Sequence, residues 1–552
     1  MSGVGSPSSI SAVRQRLQMW APGVAVASAV LALAMWSFCQ RWELLEASPF
    51  PLGVDGYFYA VELRGLLEHG TLAYPASPLG FYLLAPFAAI TDPITGAKLG
   101  GALYGAAIAA PAYGVGARLG GSRGAGLVAA ALATTSVGSM YLSIEFIKNG
   151  IGLTVALTAL WLVLRAAERP TRLRIAVAIA GLVAACATHK MAAALVMVVA
   201  VPTAIAAATT HGALRGRRLL IAIGLVVMLG AAMLVAGAAA PQRLLSVDDA
   251  ALIRGLISAT PRWRSPALAT PTGEIAFGHD ALLGLGLGVV AVAARAVRRR
   301  RTAALSSAAR THSASTSAAR AVPVHAASTA GPASSAVSAG RSPSIAAAGW
   351  PIILLAIAVG LPFLAVTDRQ GLGFRLRLAA SVPAALTAAI VARELLGRWA
   401  RRDYVLAALA LVFTLARRPA DRLDGVVVTH PALVAAAQAL AAHVPAGATL
   451  IVPERHVAFM VAWYTGAPVA LRPDRIPTEH RLRVLPLHFI VAGSALDRLL
   501  MTARTEPAIA PPIGVHPLHP NGLVVVAEPT WAWLLERLPP ADRARFAAWP
   551  TI

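Results

Sequence analysis

The sequence predicts an α-helical polytopic membrane protein of about eleven transmembrane helices plus interfacial helices, followed by a small C-terminal α/β domain. Hydrophobic residues make up 57% of the chain, charged residues only 13%, and the mean hydropathy is +0.66. Apolar runs of about twenty residues, each long enough to cross a hydrocarbon core of ~30 Å as a helix, recur up to residue 416. Because the backbone must bond to itself in lipid, helices are expected rather than open sheets.

The net charge of +23 does not indicate nucleic-acid binding. Most of it comes from arginines packed between the apolar runs, and the tendency of cytoplasmic loops to be positive accounts for that arrangement. The three lysines, Lys98, Lys148 and Lys190, lie instead at the ends of apolar segments. Both cysteines, Cys39 and Cys186, lie within apolar segments, so no disulfide framework is expected.

Arginine positions give the topology of the first part of the chain. Arg14 and Arg16 precede the first apolar run, 20–39, which we interpret as a retained helix that leaves the cytoplasm near residue 41. The run 79–90 is too short to cross, so it is expected to lie along the outer interface. The first outer loop is therefore predicted to span 40–97.

The other predicted membrane helices alternate in direction. They cover 98–117, 124–142, 149–166, 175–188, 191–210, 219–240, 280–297, 350–367, 376–397 and 403–416. An Ala/Ser/Thr-rich stretch without apolar periodicity, 302–348, predicts a disordered cytoplasmic linker. It separates an N-terminal transmembrane module, 1–301, from the C-terminal transmembrane helices within 349–419.

Residues 420–552 alternate β-rich with helical runs, which is typical of a small α/β domain with a mainly parallel sheet. Strands are predicted at 426–429, 449–453, 488–493 and 523–528, and helices at 431–443, 455–464, 494–503 and 530–537. If 403–416 spans the membrane, the domain is extracytoplasmic; if not, it is cytoplasmic. The extracytoplasmic placement is the one expected. The domain contains no phosphate-binding glycine loop, metal-spaced Cys/His set or nucleophile elbow.

The acidic residues near the predicted outer face have two interpretations each. Asp55 directly precedes an amphipathic stretch, so it is either the N-cap of an interfacial helix or a catalytic acid. Glu145, between two membrane helices, either pairs structurally with Lys148 or is a second active-site acid. The three lysines share the predicted face of Asp55, where lysines also extend to lipid headgroups without any catalytic role.

The stretch from Asp55 through Tyr59, Arg64, Glu68-His-Gly70 and Pro78 to Tyr82 resembles the first outer loop of the GT-C superfamily, polytopic glycosyltransferases that use polyprenyl-phosphate sugars. The resemblance continues through Lys98-Leu99, the segment 116–123 and Glu145. The segment 444–471 is similar to the one that follows the last helix in protein mannosyltransferase and aminoarabinose-transferase relatives. A metal-binding Asp-x-Asp is missing from the first loop, so no metal or other cofactor is indicated.

This resemblance implies an inverting hexosyl- or pentosyltransferase in the plasma membrane of a bacterium. Asp55 would take a proton from a glycan, lipid or protein acceptor, with Glu145 as a second acid. The phosphate of the polyprenyl-linked donor would contact cations, for which the candidates are Lys98, Lys148, His189, Lys190, Arg375 and Arg377. The alternatives are a transporter or flippase of lipid-linked intermediates, which should show internal repeats and broken helices, and an inactive assembly protein.

Overall fold

The structure is a computed structural model. It describes residues 9–210, 268–270, 273–275, 286, 290, 293, 372–396, 401–416, 426, 428–470, 476–486, 490, 493–505 and 523–547. Side chains are described from residue 21 onward, except at 207, 209, 210, 268–270, 273–275, 372–374, 504 and 505. The predicted helices 219–240 and 350–367, most of 280–297 and the predicted linker 302–348 lie outside the described residues.

The described part of the chain is mostly helical. Up to residue 210 its helices are α1 Ser9–Glu46, α2 Gly56–His69, α3 Leu79–Ile90, α4 Pro93–Ala107, α5 Ala109–Gly120, α6 Arg123–Thr135, α7 Val137–Ile144, α8 Ile147–Glu168, α9 Arg172–Thr188 and α10 Lys190–Thr210. Strands β1 Leu268–Thr270 and β2 Gly273–Ile275 pair antiparallel. Next come α11 Leu372–Ala379, α12 Ser381–Leu396 and α13 Arg402–Ala416.

Three described helices are long and apolar enough to cross a membrane: residues 21–46 of α1, the whole of α8, and 375–396 across α11 and α12. The pair α6 and α7 adds a fourth candidate if the bent pair forms one span. The helices predicted at 149–166, 175–188, 191–210 and 403–416 coincide with α8, α9, α10 and α13. The predicted interfacial segment 79–90 is a separate helix, α3.

Three of the predicted continuous helices are divided, one of them, 376–397, at Ala380 between α11 and α12. The run 98–117 belongs to α4 and α5, which meet at Ile108, because Pro111 has no N–H to donate to the carbonyl one turn earlier. The run 124–142 breaks at Ser136, where the chain bends by 49°. Ser136 has an extended backbone, and its hydroxyl accepts a hydrogen bond from Ser139 N–H, so it ends α6 and caps α7.

The C-terminal domain contains α14 Pro431–Leu440, β3 Thr449–Ile451, α15 Arg455–Thr465, β4 Arg481–Pro486, α16 Ala495–Thr505, β5 Leu523–Ala527, α17 Glu528–Arg537 and α18 Pro540–Ala547. Short 3-10 helices occupy Ala441–His443 and Thr478–His480. The sheet order is β3-β4-β5, in which β3 and β4 are parallel while β4 and β5 are antiparallel. The sheet is therefore mixed rather than mainly parallel.

Two strand predictions in this domain were wrong. The strand that follows β3 is β4, at 481–486, whereas the prediction placed it at 488–493. The described residues of that predicted range, 490 and 493, are not in a strand. Leu482 and Val484 face the core, while Arg483 on the other face bonds both oxygens of Glu528 at 2.7 and 2.8 Å. The alternation of buried and polar residues, rather than total hydrophobicity, therefore marks this strand. The described residues of 426–429 form no strand.

The C-terminal domain and the first loop share one hydrophobic core. Tyr57, Phe58 and Leu63 of α2 lie in the same buried cluster as Phe459 and Met460 of α15. Arg64 adds polar contacts across this junction, because its guanidinium donates to the Trp463 carbonyl at 2.8 Å and lies over the Trp463 ring. The junction therefore places the start of α15 against the turn that precedes α2.

Candidate functional site

Asp55 occupies the N-cap position of α2 but does not cap it. Its side chain makes no hydrogen bond to the first turn of the helix, so the cap interpretation is wrong for the carboxylate. The residue is 4% exposed, and its Oδ1 accepts a hydrogen bond from Arg455 Nε at 2.6 Å. Oδ2 accepts one from a terminal nitrogen of Arg375 at 3.3 Å. A buried carboxylate needs charged partners more than the two backbone N–H groups that a cap offers, which accounts for the difference.

Both arginines rest on aromatic rings. Arg455, in the first turn of α15, lies 5.4 Å from the centroid of Phe58, and Arg375 lies 4.2 Å from that of Phe146. Such cation–π contacts fix the direction of a guanidinium that would otherwise sample many rotamers. The two guanidiniums approach Asp55 from different elements, α11 and α15.

The protonation state of Asp55 follows from opposing effects. Burial acts to raise the pKa of its carboxyl, but the charges of Arg455 and Arg375, the Arg455 hydrogen bond and the charge of Lys148 outweigh it. The pKa of Asp55 therefore lies below its usual value. Asp55 is an anion at neutral pH and, while both arginines hold it, a weak base.

Lys148, at the start of α8, is the third cation of this cluster. Its ammonium lies 5.3 Å from the Phe81 centroid and 5.8 Å from that of Phe58, and its charge acts on Asp55. Its backbone N–H donates to the hydroxyl of Tyr59 at 3.2 Å, so α2 and α8 are joined beside the carboxylate.

The other predicted phosphate contacts fall into two groups: those that lie near the cations around Asp55, and those that lie apart from them. His189, between α9 and α10, is buried and packs against Gly152. The positive charges of Lys148, Arg375 and Lys190 act on its imidazole, so it borders the cluster. Arg377 is buried two residues beyond Arg375 on α11.

Lys98 belongs to the second group. Its ammonium donates to the Ser48 carbonyl at 2.5 Å, and its charged neighbours are Asp92 and Glu46. Lys98 is therefore held apart from the contacts that surround Asp55.

Glu145 lies beside the same turn. It is 1% exposed, and its Oε1 accepts the N–H of Val54 at 2.6 Å, directly before Asp55. Its neighbour in the turn is Gly53. The contact with Val54 joins residues 91 apart in sequence, so spacing along the chain did not indicate it.

No motif in the sequence pointed to Arg455, although the segment 444–471 contains it. A usable signal exists in the sequence, because a basic residue in the first turn of a predicted helix opposes the helix dipole. Such a residue indicates a partner elsewhere in the fold, here Asp55, which lies 400 positions earlier.

Glu62 is a second buried carboxylate on α2. It is completely buried, its Oε2 accepts the N–H of Tyr74 at 3.3 Å, and Oε1 has no hydrogen-bond partner among the described residues. Burial raises the pKa of Glu62 to about 7, against hydrogen bonds from the Tyr74 and Ala73 backbone and the charge of Lys148 that lower it.

We expect Glu62 to make the protein less stable as the pH rises. A carboxyl whose pKa is higher in the folded than in the unfolded protein favours folding while it is protonated. This stability is complete below the unfolded pKa of about 4.5 and is lost as the pH rises through the folded pKa of about 7. The loss amounts to about 3 kcal/mol at most. Glu62→Gln keeps an acceptor for Tyr74 N–H and stays neutral, so its thermal unfolding should depend less on pH between 5 and 8 than that of the wild type.

The solvent-exposed Glu68 on the same helix supplies a control, since Glu68→Gln should follow the wild-type pH profile. Parallel profiles for the wild type and Glu62→Gln would show that Glu62 does not titrate in this range.

Among the described residues, no group of three or more His, Cys, Asp or Glu side chains is arranged to hold a metal ion. The residues around Asp55 are instead cationic and aromatic. They suit an anion and a proton acceptor placed side by side.

The chain is distantly similar to solved structures but matches no family model. No protein-family model matches the chain, and no curated protein sequence matches it. Among solved structures, the chain is similar to the apo oligosaccharyltransferase of Archaeoglobus fulgidus, with a TM-score of 0.45 and 12% identity over 88% of this chain and 71% of that one. A likeness at this level decides neither fold nor activity.

Proposed function

We propose that this chain is an integral membrane glycosyltransferase that moves a sugar from a polyprenyl-phosphate donor to an acceptor on the extracytoplasmic face. The observation that carries the proposal is the buried Asp55 carboxylate between Arg375 and Arg455, with Lys148 beside it. In this arrangement a proton acceptor lies next to a set of cations at the ends of apolar helices.

In the reaction, the acceptor hydroxyl gives its proton to Asp55 as its oxygen bonds to the anomeric carbon. The bond between that carbon and the phosphate oxygen breaks, and its electron pair leaves with the phosphate. The donor phosphodiester carries one negative charge, whereas the departing phosphate monoester carries close to two. Since three cations face one carboxylate, an excess of two positive charges matches the leaving group better than the donor, which favours the transition state.

The same cations also regulate the base. In the free protein Arg375 and Arg455 hold the pKa of Asp55 low. A donor phosphate that bonds to these guanidiniums neutralises part of their charge and competes for their N–H groups. The pKa of Asp55 therefore rises on donor binding, and the carboxylate becomes a stronger base when it is needed.

Three apolar helices that begin beside the cations of this cluster pack around a small cavity. An apolar cavity is lined by Leu153, Leu157, Leu160, Leu195, Val196, Val199, Val382, Pro383 and Leu386. These residues belong to α8, α10 and α12, which begin next to Lys148, at Lys190 and just after Arg377. The cavity holds only about 20 Å³, so a polyprenyl chain would lie along the apolar faces of these helices rather than inside it, with its phosphate toward the cations.

The experiment that tests the proposal is a transfer assay with purified protein and a panel of labelled polyprenyl-phosphate sugars. The expected result is release of polyprenyl phosphate together with label in an acceptor fraction from cell envelopes. Donor binding without transfer for every sugar in the panel would contradict the proposal and favour a transporter.

The contact of Arg455 with Asp55 supports an extracytoplasmic C-terminal domain, because both residues must lie on one face of the membrane. We expect a fusion after residue 552 to be active with a reporter that functions only outside the cytoplasm. A fusion active only with a cytoplasmic reporter would contradict this placement. Fusions within the predicted cytoplasmic segment 302–348 supply the opposite control.

A further inference from the structure

A buried arginine holds α7 in place beneath the turn that carries Asp55. Arg41 of α1 is fully buried and donates to the hydroxyls of Ser139 and Ser143 at 3.1 and 3.0 Å. It also donates to the Thr134 carbonyl at 3.3 Å, so it bonds the last turn of α6 as well. These bonds satisfy backbone and side-chain groups on both sides of the break at Ser136 and fix the direction in which α7 leaves it.

Glu145 directly follows α7, and its side chain bonds the turn that carries Asp55. Its Oε1 accepts the N–H of Val54 at 2.6 Å. Gly53, one residue earlier, has a φ of +82°, and a Cβ there would lie 2.6 Å from Glu145 Oε2 and 2.9 Å from Glu145 Cα. Both the backbone angle and the available space therefore require glycine. The glutamate and the turn fit together without a gap.

The neighbour of Glu145 holds one of the arginines. Phe146 lies under the Arg375 guanidinium, whose nitrogen bonds Asp55 Oδ2. Thus two consecutive residues at the junction of α7 and α8 set the positions of the carboxylate and of one of its cations.

We infer that Glu145 is a positioning residue for Asp55, which holds the Val54 N–H and so keeps the Asp55 carboxylate between Arg375 and Arg455. This inference rests on the proposed function and replaces the interpretation of Glu145 as a second catalytic acid. The contact needs a side-chain oxygen acceptor at Glu145 and no exchange of its proton. Misplacing a reacting group by about 1 Å costs ~10²-fold in rate, so the contact should matter for turnover.

The test compares Glu145→Gln with Glu145→Ala in the transfer assay. The amide oxygen of Gln accepts the same N–H, so Glu145→Gln should lose less than about tenfold in kcat and keep the wild-type pH profile. Glu145→Ala should lose ~10²-fold in kcat with little change in the KM for the donor. Gly53→Ala should follow Glu145→Ala, because its Cβ would displace Glu145. The exposed Glu43→Ala on α1 is the control for loss of a carboxylate.

If Glu145→Gln loses as much kcat as Glu145→Ala, the carboxylate itself takes part and the inference is overturned. Rescue by Gln decides the question even if Glu145→Ala does not fold, since Gln preserves shape and acceptor. Failure of the proposed function looks different, because the wild-type protein itself would then transfer no sugar.

Discussion

Asp55→Asn is expected to lose ~10² or more of the sugar-transfer rate while it still binds the lipid donor. Asparagine keeps the shape of the side chain but cannot accept the proton of the acceptor hydroxyl. Because Asn leaves Arg375 and Arg455 without a carboxylate, the variant should also melt at a lower temperature than the wild type. Its affinity for the anionic donor should hold or increase, since a competing negative charge is gone.

The split between rate and affinity separates a base from a structural carboxylate. A purely structural Asp55 would lower donor binding and turnover together as the arginines lose their positions. The acid limb of kcat should also lie at higher pH than that of kcat/KM, because the bound phosphate raises the pKa of Asp55 while the free protein holds it low. An Asn variant with near-normal turnover would remove Asp55 from the chemistry.

Alanine at Arg375, Arg455 or Lys148 is expected to weaken donor binding by about tenfold or more, because each removes a charge-assisted bond to phosphate of about 1.5–3 kcal/mol. The effect on kcat/KM should exceed the effect on binding, since the leaving phosphate gains charge in the transition state. Donor titration and single-turnover transfer, measured on the same preparations, give the two quantities.

Two further substitutions serve as controls for these alanine variants. Arg123→Ala removes an exposed arginine at the predicted cytoplasmic end of the helices and should leave donor binding unchanged. Lys98→Ala should have a smaller effect than Arg375→Ala, since the Lys98 ammonium already bonds the Ser48 carbonyl. Equal losses at Lys98 and Arg375 would show that the structural grouping of the cations is wrong.

The sequence by itself predicted several of the described apolar helices and identified Asp55 as a residue of interest. Apolar runs flanked by arginines give α8, α9 and α10 within a few residues, because helix formation in an apolar run depends on local composition and length. The interruption of α4 and α5 was also accessible from the sequence, since Pro111 is a local cause. Both interpretations of Asp55 were visible, but neither excluded the other.

Only the tertiary structure decided what Asp55 and Glu145 touch. Asp55 meets Arg375 and Arg455, which lie 320 and 400 positions away, and Glu145 meets Val54 across 91 positions. No local pattern encodes these pairings, because they result from packing α2 against α15 and α7 against the first loop. Burial then selects charged partners over a helix cap, since a carboxylate removed from water is stabilised most by neighbouring cations.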